Sequence, residues 1–488
     1  MDHPTSPLRV AHFVQRYPPA VGGSEAYFAR LAGFLTARGD AVTVFTSSAV
    51  GLTDMWEGSR GRAVTLREMS SKSCGSSPPF PLREGGPGGL GASARYQAPT
   101  GACEATPPPG PLPQGGRGCP SNRASCDTAE GARLFGGSTL LTVHRFAPLT
   151  FPGRRYVLKA ASLLPVRSWQ ALTAPCNPVC PAMWAAAGRF DGALDAVHAT
   201  AFPYSFPIAC GLRLARRRGV PLLLTPFLHT GDPDDPRDRT RRQYTTPHLR
   251  WLLRQADRVF VQTSIERDTV VSLGVPAGRV LVQGLGVDAD ECTGGDRVAA
   301  RQAWGVEFGE LVIGHLANAS VEKGTVDLLT AAARVWATGK DFRLVLAGPE
   351  MPNFRAAWDR FPHQNRVTRL GVLPDAAKRD FFAGIDAFAL PSRSDSFGLV
   401  LLEAWANGKP NLVYRAGGPA ELVRDEIDGL QARCGDVAGL ADQLRRLVRD
   451  PGLGVQLGEA GRLRVGRDFR WADKLEQVRE EMVRLKTR

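Results

Sequence analysis

A single tight turn joins an apolar run to a helix-forming run within residues 385–407, and this pattern limits the possible folds more than any other part of the sequence. The apolar run is short and ends at Pro391, as a buried strand does. The helix-forming run ends at Gly408, which is a helix stop signal. The turn at residues 395–398 therefore joins the carboxyl end of a strand to the amino end of a helix. In an open α/β sheet, ligands bind at that position.

This turn also indicates the chemistry of a ligand. Backbone N–H groups and the helix dipole favour an anion at a helix amino end, typically a phosphate. Asp395 stands at the mouth of the helix, and Glu403 follows eight positions later, inside it. Two carboxylates at this spacing can accept hydrogen bonds from neighbouring hydroxyls of one polyol, which suits a nucleotide sugar. The alternative is that Asp395 or Ser396 only caps the helix and that Glu403 is a solvated surface residue.

Residues 394–403 resemble the Glu-x7-Glu motif of glycosyltransferase family 4, whose members have the GT-B fold. The resemblance continues through residues 408–410 and 416–421, and it extends more weakly over almost all the chain outside one insertion. The first acid of the motif is Asp395 here, one methylene shorter than the Glu of the family, a difference that bears on sugar preference. The resemblance implies an α/β protein with two Rossmann-like domains facing a cleft, and a carboxyl-terminal helix that crosses back to the first domain.

The composition is that of a globular protein with more than one domain. The chain has 488 residues, of which 43% are hydrophobic and 22% charged. It contains no uninterrupted apolar run of about 18 residues, so a membrane-spanning helix is not expected. The first residues lead into a strand without a basic and apolar leader, so we expect a cytoplasmic protein. None of the nine cysteines form a Cys-x-x-Cys pair, which favours reduced thiols over disulfides or a zinc site.

The formal net charge of +13 has two open interpretations. Nucleic-acid binding is not one of them, because the sequence contains no basic nucleic-acid motif. The charge can attract the protein peripherally to anionic lipid on the inner face of the membrane, which fits an enzyme with a membrane-embedded acceptor. It can equally be a scattered, Arg-rich solvated surface.

The chain divides into two predicted domains and a terminal helix. The first, acceptor-side domain, residues 1–285, begins with a β-loop-α-β unit that lacks Gly-x-Gly-x-x-Gly, which argues against a dinucleotide dehydrogenase. A Gly-, Pro- and Ser-rich segment at about residues 70–137 is predicted to be an insertion between two strands of this domain. The second domain, residues 286–468, is expected to bind the nucleotide sugar. The helix at residues 469–488 is expected to pack back on the first domain.

The first domain contributes four candidate residues through the resemblance. Gly22, Gly23 and Glu25 match a family loop that faces the cleft, with the glycines near the donor phosphates and Glu25 on the acceptor side. A plain tight turn is the alternative for Glu25. His229 matches the histidine beside the sugar, and it can hydrogen-bond the sugar or an acceptor hydroxyl. Residues 156–190 are helical and fairly apolar, and an ordinary pair of core helices is preferred there over an amphipathic acceptor-side surface.

The second domain supplies candidates for binding a diphosphate. Lys323 lies at a strand-to-helix turn, where its ammonium can neutralise the diphosphate, and it matches the phosphate-binding lysine of the family. His315 stands where the family usually has Arg after a strand glycine, and it carries at best a partial charge near neutral pH. The resemblance assigns the sugar hydroxyls to Asp395 and the ribose diol to Glu403. The backbone amides of the turn complete the donor site: Phe397, Gly398 and Leu399.

The resemblance implies transfer of a sugar from a nucleotide-diphosphate sugar with retention of configuration, without a metal or another cofactor. Lys323, Asp395 and His229 are the expected catalytic residues. The acceptor is expected to be a glycan, a lipid-linked molecule or a small molecule. Two alternatives stay open: another nucleotide-sugar enzyme on this scaffold, such as an epimerase or phosphorylase, and a catalytically idle protein that binds nucleotide sugar. Product analysis with and without an acceptor tests the first alternative, and the second would bind nucleotide sugar without releasing nucleoside diphosphate.

Overall fold

The computed structural model describes residues 7–20, 22–51, 53–56 and 140–486, which belong to one compact unit. The predicted insertion at about residues 70–137 lies outside this part of the chain. The described residues form two parallel sheets, one of seven strands and one of six. Both sheets are flanked by helices, so the predicted α/β class is confirmed.

The first sheet is entirely parallel and adds strands in two directions. Its strands are β1 (Arg9–Val14), β2 (Ala41–Ser47), β3 (Leu141–Phe146), β4 (Ala196–Ala199), β5 (Leu222–Leu224), β6 (Arg258–Val261) and β7 (Val280–Val282). Their order across the sheet is β3-β2-β1-β4-β5-β6-β7. The direction of winding reverses between β1 and β4, and the crevice at the carboxyl ends of such a strand pair is where open α/β sheets bind ligands.

The helices of this part follow the strands in the alternation expected for parallel pairing, because parallel neighbours need a crossover. They are α1 (Gly23–Ala37), α2 (Arg154–Ala161), α3 (Arg167–Thr173), α4 (Pro181–Arg189), α5 (Ser205–Arg218), α6 (Arg239–Tyr244), α7 (Pro247–Gln255) and α8 (Ser264–Ser272). Short 3-10 turns occur at Thr53–Met55 and Ala277–Arg279.

The second sheet is also parallel and has its own reversal of winding. Its strands are β8 (Val312–Leu316), β9 (Arg343–Ala347), β10 (Val367–Arg369), β11 (Ala387–Leu390), β12 (Asn411–Tyr414) and β13 (Gly429–Ala432). They lie in the order β10-β9-β8-β11-β12-β13, so the reversal falls between β8 and β11. The loops that follow these two strands carry Lys323 and Asp395, which explains why residues far apart in the sequence meet.

The helices from residue 289 onward complete the structure. They are α9 (Ala289–Cys292), α10 (Arg297–Ala303), α11 (Thr325–Trp336), α12 (Pro352–Trp358), α13 (Asp375–Gly384), α14 (Leu399–Ala406), α15 (Gly417–Leu422), α16 (Val437–Arg449), α17 (Pro451–Asp468) and α18 (Trp471–Lys486). A 3-10 turn occurs at Gln364–Arg366. Within the described ranges, no helix combines the length and the apolar character needed to cross a bilayer.

Both faces of the central strands of each sheet are buried, which is why strands such as β5 and β11 are continuous apolar runs, whereas the edge strand β3 is only partly buried. In β1, Val10 packs into one apolar core while its neighbour Ala11 packs into another on the opposite face. In β8, Val312 and Ile313 divide in the same way. This alternation follows from the period of two residues along a strand.

The terminal helix α18 packs on the first sheet's domain, as predicted. Arg479 forms an ion pair of 2.7 Å with the buried carboxylate of Asp40. Glu476 pairs with Arg38 at 2.7 Å, so α18 is tied to the end of α1 as well. The domain boundaries at residues 285 and 468 stay predictions. The last strand of the first sheet ends at Val282, and the first strand of the second sheet begins at Val312.

The region predicted as a pair of core helices, residues 156–190, is only partly core. Helix α4 buries Met183 and Ala187. Helix α2 buries only Arg154 and Leu158, and most of its remaining side chains are exposed. The preferred interpretation of this region is therefore wrong for α2.

Candidate functional site

The turn at residues 395–398 has the predicted geometry between β11 and α14. Gly398 precedes the helix with a φ of +90°, in the left-handed region that glycine favours, and no side chain caps the helix at that position. The interpretation of Asp395 as no more than a helix cap is therefore wrong. Gly417 and Gly418 pack on the turn from the start of α15, and Gly418 donates its N–H to the carbonyl of Asp395 at 3.0 Å. A Cβ on Gly417 would lie 2.3 Å from that same carbonyl oxygen.

Lys323 and Asp395 form an ion pair at the mouth of α14. The Lys323 Nζ lies 2.7 Å from Asp395 Oδ2. The lysine loop is fixed at Gly324, which has a φ of +71°, and a Cβ there would lie 1.8 Å from the carbonyl oxygen of Pro391. Burial favours a raised pKa for Asp395, but the neighbouring charges, with Lys323 first, hold it below its ordinary value. The carboxylate is therefore ionised. Its Oδ1 has only a long contact of 3.4 Å with the Phe397 N–H, so it keeps the capacity to accept hydrogen bonds from a polyol.

His315 does not supply the charge predicted for it. Its side chain is fully buried, with Nδ1 at 2.8 Å from the carbonyl oxygen of Ala389 and Nε2 at 2.9 Å from the Thr325 hydroxyl. Burial lowers its pKa to about 4, so the ring is neutral at neutral pH. The predicted donor contact is corrected accordingly: His315 ties β8 to β11 and to the start of α11, and both ring nitrogens are occupied by the protein.

Glu403 is buried, and the interpretation of it as a solvated surface residue is wrong. Its side chain points from the second turn of α14, and Oε1 accepts a hydrogen bond from the Lys378 Nζ at 2.5 Å. Oε2 is buried and has no hydrogen-bond partner within the described residues. Burial raises the pKa of Glu403, with Lys378 opposing that effect. A buried carboxylate oxygen without a partner is costly unless a ligand donates to it, so this atom is a candidate contact for a hydroxyl.

His229 connects the two sheets at the site. It follows β5, and its Nδ1 lies 2.8 Å from the hydroxyl of Ser394, just before the turn. The imidazole stacks on Tyr244 with ring centroids 4.6 Å apart. Burial lowers the pKa of His229 to about 4, with Asp395 acting in the opposite direction. The structure therefore brings a neutral histidine to the Lys323–Asp395 pair.

Glu25 has a different role from the one predicted. It is buried, and its Oε1 lies 2.7 Å from the Arg16 guanidinium. Its Oε2 accepts a hydrogen bond from the Ser24 hydroxyl at 2.9 Å. A Cβ on Gly22 would lie 2.2 Å from Oε2, so glycine leaves the room that this carboxylate occupies. Because protein groups engage both oxygens, Glu25 shapes the loop after β1 and does not present a free carboxylate to an acceptor. The donor contacts of Gly22 and Gly23 stay predictions.

The edges of the two sheets also make direct contacts around the site. The Glu421 carboxylate accepts the backbone N–H groups of Ser264 at 2.8 Å and Ile265 at 2.9 Å, at the first turn of α8. Gly417 donates its N–H to the carbonyl of Gly231 at 3.0 Å. The glycine-rich segment that supports the turn therefore also holds the first domain.

Four contact residues were not singled out by sequence reasoning: Lys378, Tyr244, Ser394 and Ser264. Only Ser394 has a sequence signal, because it begins the motif itself. Among the residues that the structure describes, no group of three or more His, Cys, Asp or Glu side chains could hold a metal ion. Metal independence stays a prediction.

Two family models match the chain on either side of the domain boundary. The Glycosyl transferase 4-like domain matches residues 128–286, and Glycosyl transferases group 1 matches residues 296–464. Two facing Rossmann-like domains define the GT-B class of glycosyltransferase folds. In this chain, the second domain also carries the turn at residues 395–398, next to the point where its strand order reverses. This chain belongs to glycosyltransferase family 4.

Curated relatives and solved structures are similar to this chain at different levels. The D-inositol 3-phosphate glycosyltransferase of Mycobacterium sp. (strain KMS) is 36% identical over 203 residues, which are 40% of this chain and 45% of the relative. That of Saccharomonospora viridis is 32% identical over 284 residues, 53% of this chain and 63% of the relative. The chain thus spans about half the length of the curated relatives it matches.

Two solved structures show the same fold over nearly the whole chain. Sucrose-phosphate synthase from Thermosynechococcus elongatus has a TM-score of 0.64 at 18% identity, covering 98% of this chain and 99% of its own. Anabaena HepE in complex with UDP-glucose has a TM-score of 0.60 at 16% identity, covering 97% and 99%. Identities this low establish the fold alone.

Proposed function

We propose that this protein is a retaining, metal-independent glycosyltransferase that moves a sugar from a nucleotide-diphosphate sugar to an acceptor hydroxyl. The observation that carries the proposal is the alignment of three groups along one turn and helix. Lys323 and Asp395 form a pair at the amino end of α14. One turn further along the helix, Glu403 holds a buried carboxylate oxygen that has no partner within the described residues. A cation and a helix amino end can bind a diphosphate. The two carboxylates can accept hydrogen bonds from the two polyols of a nucleotide sugar, the transferred sugar and the ribose.

Each part of a nucleotide sugar has a matching group in this proposal. Helix α14 begins at Leu399, and the N–H groups at a helix amino end lack intrahelical partners. The proposed backbone donors are the N–H groups of Phe397, Gly398 and Leu399, of which that of Phe397 is shared with Asp395 Oδ1 at 3.4 Å. They and the Lys323 ammonium bind the diphosphate. The ionised Asp395 accepts hydrogen bonds from the transferred sugar. Glu403 Oε2 accepts one from the ribose.

Lys323 can serve both its carboxylate partner and a phosphate. An ammonium has three N–H donors, and the bond to Asp395 uses one of them. The pair therefore positions the lysine without consuming its capacity to bind the donor. Charge builds on the diphosphate as its bond to the sugar breaks, so a fixed cation stabilises the transition state more than the ground state.

The proposed step transfers one sugar and one proton. The acceptor oxygen forms a bond to the anomeric carbon on the face from which the diphosphate leaves, and the bond between that carbon and the diphosphate oxygen breaks. The acceptor proton passes to the departing diphosphate oxygen, so configuration is retained and no enzymatic nucleophile is needed. His229 is neutral and held by Ser394 and Tyr244, which suits it to hydrogen-bond a sugar hydroxyl and not to carry charge.

Similar proteins support the donor class. Anabaena HepE has been solved with UDP and with UDP-glucose, and the catalytic domain of starch synthase IV from Arabidopsis thaliana with ADP and acarbose. The last has a TM-score of 0.62 at 14% identity, covering 99% of this chain and 100% of its own. Donors with different bases occur on this fold, so the proposal names a nucleotide-diphosphate sugar and leaves the base to experiment. The acceptor is a glycan, a lipid-linked molecule or a small molecule.

A two-stage experiment tests the proposal. Thermal shifts with UDP, GDP and ADP and with their sugars identify the base. The stabilising donor is then incubated with and without candidate acceptors, and nucleoside diphosphate release, product and anomeric configuration are determined in the presence of EDTA. Transfer with retention supports the proposal. Donor binding without any diphosphate release would indicate an idle binding protein, and conversion of the sugar without an acceptor would indicate an epimerase.

A further inference from the structure

Large apolar side chains are exposed in a cluster on residues 149–169, which span α2, α3 and the loops beside them. Of the 18 large apolar side chains that are exposed in the described residues, eight fall within this segment. The other ten are scattered over the rest of the described chain. We call the cluster the outer apolar face, and it consists of Leu149, Phe151, Tyr156, Val157, Leu163, Leu164, Val166 and Trp169.

The outer apolar face is held in an ordered arrangement. Helix α2 is anchored by its buried residues Arg154 and Leu158, one turn apart. The turn between α2 and α3 is closed by Trp169, whose indole N–H donates to the Ala161 carbonyl at 2.9 Å. Gln170 donates to the Ser162 carbonyl at 3.0 Å across the same turn. The exposed apolar side chains are thus presented by a structured loop and helix, and Tyr156 and Leu163 are 79% and 76% exposed.

The same segment is basic. Residues 149–169 contain no Asp or Glu, while Arg155, Lys159 and Arg167 are exposed. Arg155 and Lys159 lie four residues apart on α2, so both occupy one side of the helix beside the apolar residues. The basic run at residues 216–218 is engaged by the protein: Arg216 donates to Gln255, Arg217 to the carbonyl of Phe190 and Arg218 to that of Gly192. Apolar and aromatic side chains flanked by cations are the pattern of a surface that lies in the interface of an anionic membrane.

The outer apolar face continues toward the acceptor side of the site. Helix α3 ends at Thr173, and Cys176 then contacts the carbonyl oxygen of Pro203 with its Sγ at 3.6 Å. Helix α3 also packs against α7, which begins three residues after Tyr244, the ring that stacks on His229. The helix that ends the outer apolar face is therefore connected through α7 to the first-domain side of the site.

We propose that the outer apolar face docks the protein peripherally on an anionic membrane, with Tyr156, Leu163 and Leu164 entering the interface and Arg155, Lys159 and Arg167 meeting the lipid headgroups. Membrane docking favours the lipid-linked molecule among the three acceptor classes named above, a step that rests on the proposed transferase activity. An aromatic side chain such as that of Tyr156 suits the interface because one end is apolar and the other forms hydrogen bonds. Because residues 149–169 contain basic side chains and no Asp or Glu, the lipid is expected to be anionic.

Co-sedimentation of the full chain with vesicles tests the proposal. The vesicles are an equal mixture of phosphatidylglycerol and phosphatidylcholine, with pure phosphatidylcholine as the neutral comparison. The test variant combines Tyr156→Ser, Leu163→Ser and Leu164→Ser. The matched control combines Val298→Ser, Phe308→Ser and Val455→Ser, which remove three exposed apolar side chains far along the chain. A third variant combines Arg155→Glu and Lys159→Glu.

We expect the wild type and the matched control to bind anionic vesicles equally and neutral vesicles weakly. The serine test variant should lose binding at least tenfold. The charge variant should lose at least roughly 25-fold, from about fivefold for each basic residue at the surface. All variants should keep the wild-type melting temperature, since the changed side chains are exposed.

Three outcomes would overturn the proposal: equal vesicle binding by test variant and control, equal binding of the wild type to both vesicle types, or a charge variant that binds as the wild type does. Light scattering is measured alongside. Loss of a dimer in the test variant, with vesicle binding unchanged, would assign the outer apolar face to a second copy of the chain. Nucleotide binding is read separately by thermal shift, so failure of the donor assignment and failure of membrane docking are distinguishable.

Discussion

Glu421 of the second domain accepts a hydrogen bond of 2.8 Å from the backbone N–H of Ser264, the first residue of α8 in the first domain. Its other oxygen accepts the next N–H, that of Ile265, at 2.9 Å. One carboxylate thus meets two donors at a helix amino end, where the helix dipole favours negative charge. The contact holds the two sheets in the arrangement in which His229 reaches Ser394.

Replacing Glu421 with Ala is expected to weaken domain closure. The loss of a helix cap costs about 1 kcal/mol. The variant should therefore show a lower melting temperature by a few degrees and a larger radius of gyration in X-ray scattering without ligand. Glu480→Ala removes an exposed acid of α18 and serves as the control. An unchanged radius of gyration would show that other contacts suffice for closure.

The predicted and observed sites differ in a way that has a physical cause. The turn at residues 395–398 could be predicted because strand, turn and helix signals are local in the sequence. The contacts of Glu403 with Lys378, and of His229 with Ser394, could not, because tertiary packing alone brings these partners together. The position of His315 in the motif predicts a phosphate contact. The parallel sheet is covered on both faces, so its side chain is buried instead of facing the cleft.

Glu403→Gln should reduce nucleotide affinity without unfolding the protein. A hydrogen bond to a charged group contributes about 1.5–3 kcal/mol, so we expect a loss of roughly 10- to 100-fold in affinity for the stabilising nucleotide. The amide keeps the side-chain volume, and it removes a buried charge whose pKa burial already raises, so the melting temperature should change little. Isothermal titration measures the affinity. Wild-type affinity in this variant would contradict the ribose contact.

Lys323→Ala should lower turnover more than donor binding, because the diphosphate charge grows in the transition state. Removing the ammonium also leaves Asp395 without its ion-pair partner, so a lower melting temperature is expected as well. Steady-state kinetics separates kcat from KM, and Lys340→Ala, an exposed lysine, is the control. An increase in KM at constant kcat would argue for ground-state binding only.

Acid should destabilise the fold through its buried histidines. Burial lowers the pKa of His12 to about 3, and that of His315 and His229 to about 4, each below the ordinary value of about 6.5. Between the lowered pKa and the ordinary value, the unfolded chain binds more protons than the folded one. The stability that these histidines contribute is therefore fully present above about pH 6.5 and falls as the pH drops toward 4. Glu266, with a pKa raised to about 8 by burial, acts in the opposite direction between about pH 4.5 and 8. Burial also raises the pKa of Glu403 and Asp288, but the histidines with a lowered pKa outnumber these three acids.

His12→Leu isolates one of these histidines. Neither ring nitrogen of His12 has a hydrogen-bond partner in the described part of the chain, so an apolar side chain leaves no group unsatisfied. Chemical denaturation at pH 7.5 and pH 5 should show a smaller loss of unfolding free energy in the variant than in the wild type, by about 2 kcal/mol. An equal loss in both proteins would show that His12 does not titrate on unfolding.

The predicted insertion at about residues 70–137 should be dispensable for the two-sheet core. Its Gly-, Pro- and Ser-rich composition argues that it adds no packed core, and longer loops cost closure entropy only slowly. The flanking strands β2 and β3 are parallel neighbours, so the chain between them must cross over, which takes about a dozen residues or more. Replacing the insertion with a short Gly-Ser linker leaves residues 48–69 for this crossover. The melting temperature and nucleotide affinity should stay near wild type, and a large loss of soluble protein would show that the insertion packs after all.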